Sequence, residues 1–206
     1  MPDSVYARRL KRALDAGAAL VGLVVVGPLM LLVAAAIKLL DPGPVLFRHQ
    51  RVGLRGKPFA ILKFRTMRAG AEKEGPQITS GGDARVTRLG RLLRRTKVDE
   101  LPQLVNVLRG DMSLVGPRPE VRHYVELFRD DYDVILSVRP GITDYAAIKY
   151  RDEEATLGAY QDAEQGYVTE VLPDKIALYH RYISEVGFAT DARILLATLA
   201  KVLVRH

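Results

Sequence analysis

The chain has 206 residues, 31 Lys and Arg against 24 Asp and Glu, a net charge of +7, 48% hydrophobic residues and neither cysteine nor tryptophan. That length suits one domain with an appendage, the apolar content argues against wholesale disorder, and the missing cysteines exclude disulfides and thiolate zinc sites. His49, His123, His180 and His206 are scattered without metal-ligand spacing, and the charge is lopsided: residues 1–118 carry 21 Lys and Arg against 9 Asp and Glu, residues 119–206 carry 10 against 15. The first half therefore calls for an anionic partner: nucleic acid, lipid headgroups or a phosphorylated substrate.

From Ala18 to Ile37 no side chain is charged or strongly polar. A helix of that length measures about 30 Å, the thickness of a bilayer's hydrocarbon core. A buried core helix would show a polar face, which is missing; a signal peptide would be shorter and would end in a better cleavage site than Lys38-Leu-Leu-Asp-Pro42. Basic residues flank the run on both sides, Arg8, Arg9, Lys11 and Arg12 before it and Lys38, Arg48, Arg51, Arg55 and Lys57 after it. The tendency of basic residues to stay cytoplasmic pulls both ends to one side. Gly27-Pro28 sits near the middle, where proline removes a backbone donor and predicts a break. A helix that dips in and returns and a kinked spanning helix both satisfy these residues.

Asp41-Pro-Gly-Pro44 reads as a turn, and Val45–Arg51 with Lys57–Met67 as a β-hairpin around Gly53-Leu-Arg-Gly56. Residues 69–83 are polar and glycine-rich, a loop placed to act as a lid. From about Val86, an apolar stripe of Val86, Leu89, Leu92 and Leu93 alternates with Arg85, Arg88, Arg91, Arg94 and Arg95, predicting a basic helix. No aromatic residue or nucleic-acid motif accompanies it, which favours lipid phosphate or a phosphorylated substrate over nucleic acid. Further helices are predicted over Glu120–Arg129, Lys175–Glu185 and Asp191–Val204, the last suited to core packing or to a membrane interface. Short helices and loops are expected between Asp130 and Tyr167.

Chemistry concentrates at Asp99 and Glu100, which precede a helix opened by Pro102 and continued by Leu104, Val105 and Leu108. Ordinary capping would explain two acids there. Five basic residues upstream and the rigid Gly116-Pro-Arg-Pro119 downstream point further: two carboxylates facing arginines can hold a divalent cation, attack phosphorus or accept a proton. A carboxylate at a helix amino end is expected to stay ionised.

The ordered set Lys63-Phe-Arg-Thr-Met67, Arg94, Asp99-Glu-Leu-Pro-Gln-Leu104, Asn106-Val-Leu-Arg-Gly-Asp-Met-Ser113, Gly116-Pro-Arg-Pro119 and Arg139-Pro-Gly-Ile-Thr143, behind a proline-broken hydrophobic segment, resembles the monotopic phosphoglycosyl transferases among bacterial sugar transferases. The match runs from about residue 5 to 200. The resemblance implies an α+β, mainly helical fold with a small β-hairpin. It also implies a monotopic membrane protein with a re-entrant helix broken at Gly27 and Pro28, and interfacial helices. Residues 1–40 would form the basic and membrane segment, residues 41–206 a catalytic domain on the cytoplasmic face of the bacterial inner membrane.

The implied reaction moves a sugar-1-phosphate from a UDP-sugar to a polyprenol phosphate such as undecaprenyl phosphate, starting glycoconjugate or exopolysaccharide assembly. Asp99 would be the nucleophile, forming a phosphosugar intermediate with release of UMP, and Glu100 would bind metal or manage the proton. Mg²⁺ is the implied cofactor, held by Asp99 and Glu100; Lys63, Arg94, Arg118 and Arg139 would contact phosphate; Asp111 and Ser113 would be structural. Inner-membrane lipids are expected partners, nucleic acid is not, and a homodimer is left open. Gly27-Pro28 stands where many relatives have Ser-Pro, and Asp144–Glu154 resembles a subgroup within the family and is expected to help shape the sugar pocket. The alternative is a non-catalytic membrane adaptor binding anionic lipid, for which Asp99 would be dispensable; third is a nucleic-acid binder, which leaves the apolar run unexplained.

Overall fold

The computed structural model describes Tyr6, residues 10–71 and residues 83–203. Arg8, Arg9 and most of the 69–83 segment expected to form a lid lie outside the described residues. The chain opens with α1 (Lys11–Leu40), followed by a hairpin of β1 (Leu46–Val52) and β2 (Pro58–Phe64). Next come α2 (Arg88–Thr96), α3 (Gln103–Arg109) and β3 (Ser113–Val115). The second half holds α4 (Arg122–Leu127), α5 (Arg129–Ile135), β4 (Gly141–Thr143), α6 (Tyr145–Lys149), α7 (Glu153–Leu157), α8 (Ala163–Gly166), α9 (Leu172–Glu185) and α10 (Phe188–Leu203). Mainly helical with a hairpin is thus the observed class.

Among the described residues α1 alone is long and apolar enough to cross a membrane, with a mean hydropathy of 2.7 over its apolar window. The expected break at Gly27 and Pro28 does not end it, for the helix runs on through both. An internal proline forfeits one backbone bond while the flanking turns keep theirs. Both arms of α1 pack on the same body. On the first, Arg12 donates to the Val107 and Leu108 carbonyls at 2.6 and 2.9 Å, satisfying the end of α3. Asp15 accepts from the Ser113 hydroxyl at 2.7 Å, and Ala19 is buried against Ile61, Val107 and Met112. On the second arm Val33 and Ile37 bury against Phe64 and Leu93, and Asp41 pairs with Arg65 at 3.3 Å. The opposite side is apolar and open, Val24 72% and Leu31 74% exposed. Exposed apolar area on that scale marks a binding or membrane surface.

The hairpin is held to α3 by one amide. Buried Asn106 accepts from the Leu62 N–H at 3.0 Å and donates to the Ala60 carbonyl at 2.9 Å, serving as a neighbouring strand would. β2 stops at Phe64, short of the expected Met67, because Met67 turns to pair with Val86 instead. Thr87 then caps α2 by accepting from the Gly90 N–H at 2.9 Å. α2 crosses so closely that a Cβ on Gly90 would lie 2.0 Å from the Thr66 carbonyl oxygen.

Sequence patterning did not expose the parallel pair of β3 with β4. Here Gly116 and Gly141 let two backbones touch, a Cβ on Gly141 falling 2.1 Å from the Gly116 nitrogen. Around this pair lies a core rich in tyrosine, including Tyr124, Tyr132, Tyr167 and Tyr179, built by α4, α5 and α9. α10 covers β3 through Ile194, while Tyr182 of α9 donates to the Val115 carbonyl at 3.0 Å. Phe188, Leu196 and Leu199 of α10 are exposed.

The two kinds of glycine give opposite expectations. Gly141→Ala forces backbone apart and should destabilise by about 3 kcal/mol, the upper end of overpacking. Gly17→Ala meets nothing within 4 Å and should stabilise the helix by up to about 1 kcal/mol. Chemical denaturation of the detergent-solubilised variants checks both.

Candidate active site

Asp99 and Glu100 owe their position to a chain reversal. α2 ends at Thr96, and Lys97 adopts φ 58° and ψ 15°, a left-handed conformation uncommon outside glycine. The reversal leads into a single tight turn, Val98–Glu100, before Pro102 starts α3. No side chain caps α3, so capping does not account for the two acids.

Glu100 is clamped. Its Oε1 accepts from Lys63 Nζ at 2.9 Å and Arg118 Nη2 at 2.6 Å, and its Oε2 accepts from Arg118 Nη1 at 3.2 Å. Burial alone would raise the Glu100 carboxyl, but the Arg118 guanidinium and the Lys63 ammonium together outweigh it and hold the group well below the usual carboxylate range. Burial lowers the Lys63 ammonium, with Glu100 opposing. Asp99 goes the other way: burial raises its carboxyl, against the pull of Lys63, and Glu100 adds to the rise. Desolvation thus exceeds the effect of its cationic neighbours. Two adjacent carboxyls pushed apart in this way suit two different roles.

Both face a cavity of about 1850 Å³. Its described lining holds fourteen Lys and Arg side chains against seven Asp and Glu, a strongly positive field for an anionic ligand. Lys63, Arg94 and Arg118 are all in that lining. Arg94 donates through Nε to the Thr66 hydroxyl at 2.8 Å and pairs with Glu154 at 2.5 Å. Arg118 is fixed at its backbone too, its N–H donating to buried Asp144 at 3.0 Å. Arg139 is the exception to the expected phosphate set. It is absent from this lining, and its Nε donates to the Gly110 carbonyl at 3.1 Å, closing the end of α3. Sharing a motif with Pro140 and Gly141 did not determine which way its side chain runs. Asp111 and Ser113 bond Asn106 and Asp15 respectively, as structural residues do.

Sequence reasoning did not single out Lys97 or Lys175, and it named Asp144, Glu153 and Glu154 only within the stretch expected to help shape a sugar pocket; all five lie around this cavity or its supports. For Lys175 a signal existed: helical spacing puts it in the stripe Leu172, Ile176 and Tyr179, and a lysine in a buried stripe needs a partner. That partner is Glu153, 2.5 Å away.

The donor set also bears on metal binding. Among the described residues no three His, Asp or Glu side chains converge as ligands. Asp99 Oδ1 is nevertheless buried without a hydrogen-bond partner, beside a second carboxylate. One or two carboxylates with the remaining oxygens supplied by a diphosphate is how Mg²⁺ is commonly bound, so the residues fit a cation that arrives with its ligand.

Removing the clamp should be visible without any substrate. Glu100→Gln strands Lys63 and Arg118 in a largely buried site and should lower stability by about 3 kcal/mol at neutral pH. Because the folded Glu100 carboxyl lies below its ordinary value, its contribution is complete above pH ~4.5 and declines as the pH falls further. The stability gap between wild type and variant, followed by denaturation from pH 7 down to 3, should narrow below that point.

Comparison with known proteins matches residues 6–205 to the bacterial sugar transferase family. The chain is 38% identical, over 98% of its length, to 45% of UDP-N-acetylgalactosamine-undecaprenyl-phosphate N-acetylgalactosaminephosphotransferase from Aeromonas hydrophila. It is 42% identical, over 94% of its length, to 69% of a UDP-glucose:undecaprenyl-phosphate glucose-1-phosphate transferase from Caulobacter vibrioides. It is also 38% identical, over 97% of its length, to 41% of the Escherichia coli protein of that name. The chain thus spans less than half of two of these relatives. With a match across nearly the whole sequence, and the Asp99–Glu100 pair, Lys63, Arg94 and Arg118 gathered in one basic cavity, the chain belongs to the bacterial sugar transferase family.

Proposed function

We propose that this chain transfers a sugar-1-phosphate from a UDP-sugar to a polyprenol phosphate, with undecaprenyl phosphate the acceptor suggested by its relatives, and so starts glycoconjugate assembly. The observation that carries the reading is a buried carboxylate with an unpartnered oxygen, Asp99, set in a cavity of excess positive charge.

In the proposed mechanism an oxygen of ionised Asp99 attacks the phosphorus that bears the sugar. The phosphorus–oxygen bond to UMP breaks, UMP leaves with the electron pair, and the phosphosugar is held on Asp99 as an acyl phosphate. An oxygen of polyprenol phosphate then attacks the same phosphorus, releasing polyprenyl diphospho-sugar and regenerating the carboxylate. Lys63, Arg94 and Arg118 stabilise charge on the phosphate oxygens, and Glu100 keeps Lys63 and Arg118 in place for that task. Mg²⁺, held by Asp99 with Glu100 beside it, would offset the diphosphate charge. Arg139 supports the site from the end of α3.

The same reading places residues 41–206 as a catalytic domain on the cytoplasmic face of the inner membrane, with α1 re-entrant. Support for the dip comes from the contacts of both arms of α1 with one body, and from the open apolar side between them. A helix lying in the lipid in that way brings one cavity within reach of a soluble donor and an embedded acceptor.

The test is UMP release by detergent-solubilised protein given Mg²⁺, undecaprenyl phosphate and a panel of UDP-sugars. Wild type should release UMP with at least one donor, and Asp99→Asn should reduce the rate by 10³-fold or more, on the order expected for loss of a nucleophile. Unchanged release by the variant would overturn the assignment of Asp99.

A further inference from the structure

One wall of the cavity is left unused by this chemistry. α7 carries two adjacent acids whose partners come from different elements: Glu154 pairs with Arg94 of α2, and Glu153 pairs with Lys175 of α9 at 2.5 Å. Lys175 is unusual, its side chain only 3% exposed, whereas Glu153 is 33% exposed. The ammonium also lies 4.9 Å from the centre of the Tyr167 ring, a cation–π contact. Tyr167 in turn donates to Glu120 at 2.5 Å, and Glu120 pairs with Arg51 at 3.2 Å. A buried charge of this kind needs its counter-ion, so the chain of contacts fixes the Glu153 carboxylate at the cavity surface. Lys175 takes Oε2; among the described residues Oε1 has no protein partner. The Tyr179 hydroxyl, in the same lining, is buried without a partner as well.

The position of this wall relative to the phosphate cations narrows its ligand. Arg118 grips Glu100 directly and also lies within electrostatic reach of Glu153 and Tyr179. Glu153 lines the same cavity as Asp99 and Arg118, so a phosphate held between those two brings a substituent into the space that Glu153 borders. In the proposed in-line attack UMP leaves opposite Asp99, so of the two substituents on that phosphorus the sugar is the one carried to the side and retained. A fixed carboxylate with a free oxygen accepts hydrogen bonds from sugar hydroxyls and discriminates their stereochemistry, since a misplaced hydroxyl leaves a buried polar group unpaired.

We propose that Glu153, positioned by buried Lys175, reads the hydroxyls of the donor sugar and sets which UDP-sugar is accepted. The inference rests on the transferase reading. In it, Glu153 contacts substrate and Lys175 is a positioning residue that acts through Glu153.

The experiment measures kcat/KM for UMP release from UDP-glucose, UDP-galactose, UDP-N-acetylglucosamine and UDP-N-acetylgalactosamine with the full chain in detergent. Wild type is compared with Glu153→Gln, Glu153→Asp and Lys175→Met, with inhibition by UMP and the Mg²⁺ requirement followed in parallel. Glu153→Gln should lower kcat/KM for the preferred donor by ~10–100-fold and shrink its preference over the 4-epimer, as expected when a hydrogen-bond acceptor for a substrate hydroxyl is weakened. Inhibition by UMP should be unchanged, and Lys175→Met should show the same loss of preference. If Lys175→Met does not fold, the two Glu153 variants decide. An unchanged donor preference in Glu153→Gln would overturn the inference. So would a parallel loss of UMP inhibition, which would assign the carboxylate to the ribose diol, or a shifted Mg²⁺ requirement at constant preference, which would make it a metal ligand. Silence of wild type with every donor would fail the transferase reading itself, an outcome separate from any difference among variants.

Discussion

Glu100 draws Lys63 from the hairpin and Arg118 from the Gly116–Pro119 turn onto one carboxylate, and the shape and charge of the cavity depend on that meeting. Two largely buried cations without it would carry a desolvation penalty that the more distant Asp99 and Glu153 offset only in part. With it, they remain charged and aimed at a common point, and the neighbouring Asp99 keeps an oxygen free of any hydrogen bond. The contrast between the acids follows from coordination. One accepts three hydrogen bonds from cations and is driven down, whereas the other is buried without such bonds and is driven up. A pair in which one member organises and the other stays available suits the covalent phosphoryl chemistry proposed above.

The apolar helix α1 takes part in the same construction. Asp15 and Ala19 on one arm and Val33 and Ile37 on the other are buried at intervals of four residues, so each arm presents a single stripe to the body. Ala19 and Gly22 are small enough for α3 to approach closely, Gly22 facing Leu104. Arg12 caps that same α3, whose preceding turn carries Asp99 and Glu100. The helix thus packs on the body that holds the cavity on one side and presents an apolar surface on the other. On the transferase reading, lipid contact and active-site geometry are properties of one element, which gives a physical reason for anchor and cavity to lie side by side.

Where order was local, sequence was enough. The hairpin, α2, α9 and α10 follow from hydrophobic periodicity and turn residues, and each lies close to its predicted place. The parallel pair of β3 and β4 escaped notice because strands of three residues carry no alternation, and their pairing rests on two glycines 25 positions apart whose backbones touch. Arg139 was grouped with the phosphate cations on motif membership, yet it closes α3, since a motif places a backbone and leaves the side chain to its surroundings. Glu153 lies in the Asp144–Glu154 stretch that the resemblance ties to a sugar pocket, and Lys175 interrupts a buried stripe, but their partnership spans 22 positions and no local spacing pairs the two.

The amino-acid sequence by itself determined the helical and hairpin elements, the basic first half, the long apolar helix and the chemical identity of the Asp99–Glu100 pair, all of which depend on composition and short-range spacing. Only the tertiary structure decided which acid is clamped and which is free, which arginine faces the cavity, and that both arms of α1 rest on one body. Those outcomes depend on distances between segments remote in the chain, where the burial of a charge is settled by whatever partner the fold delivers to it.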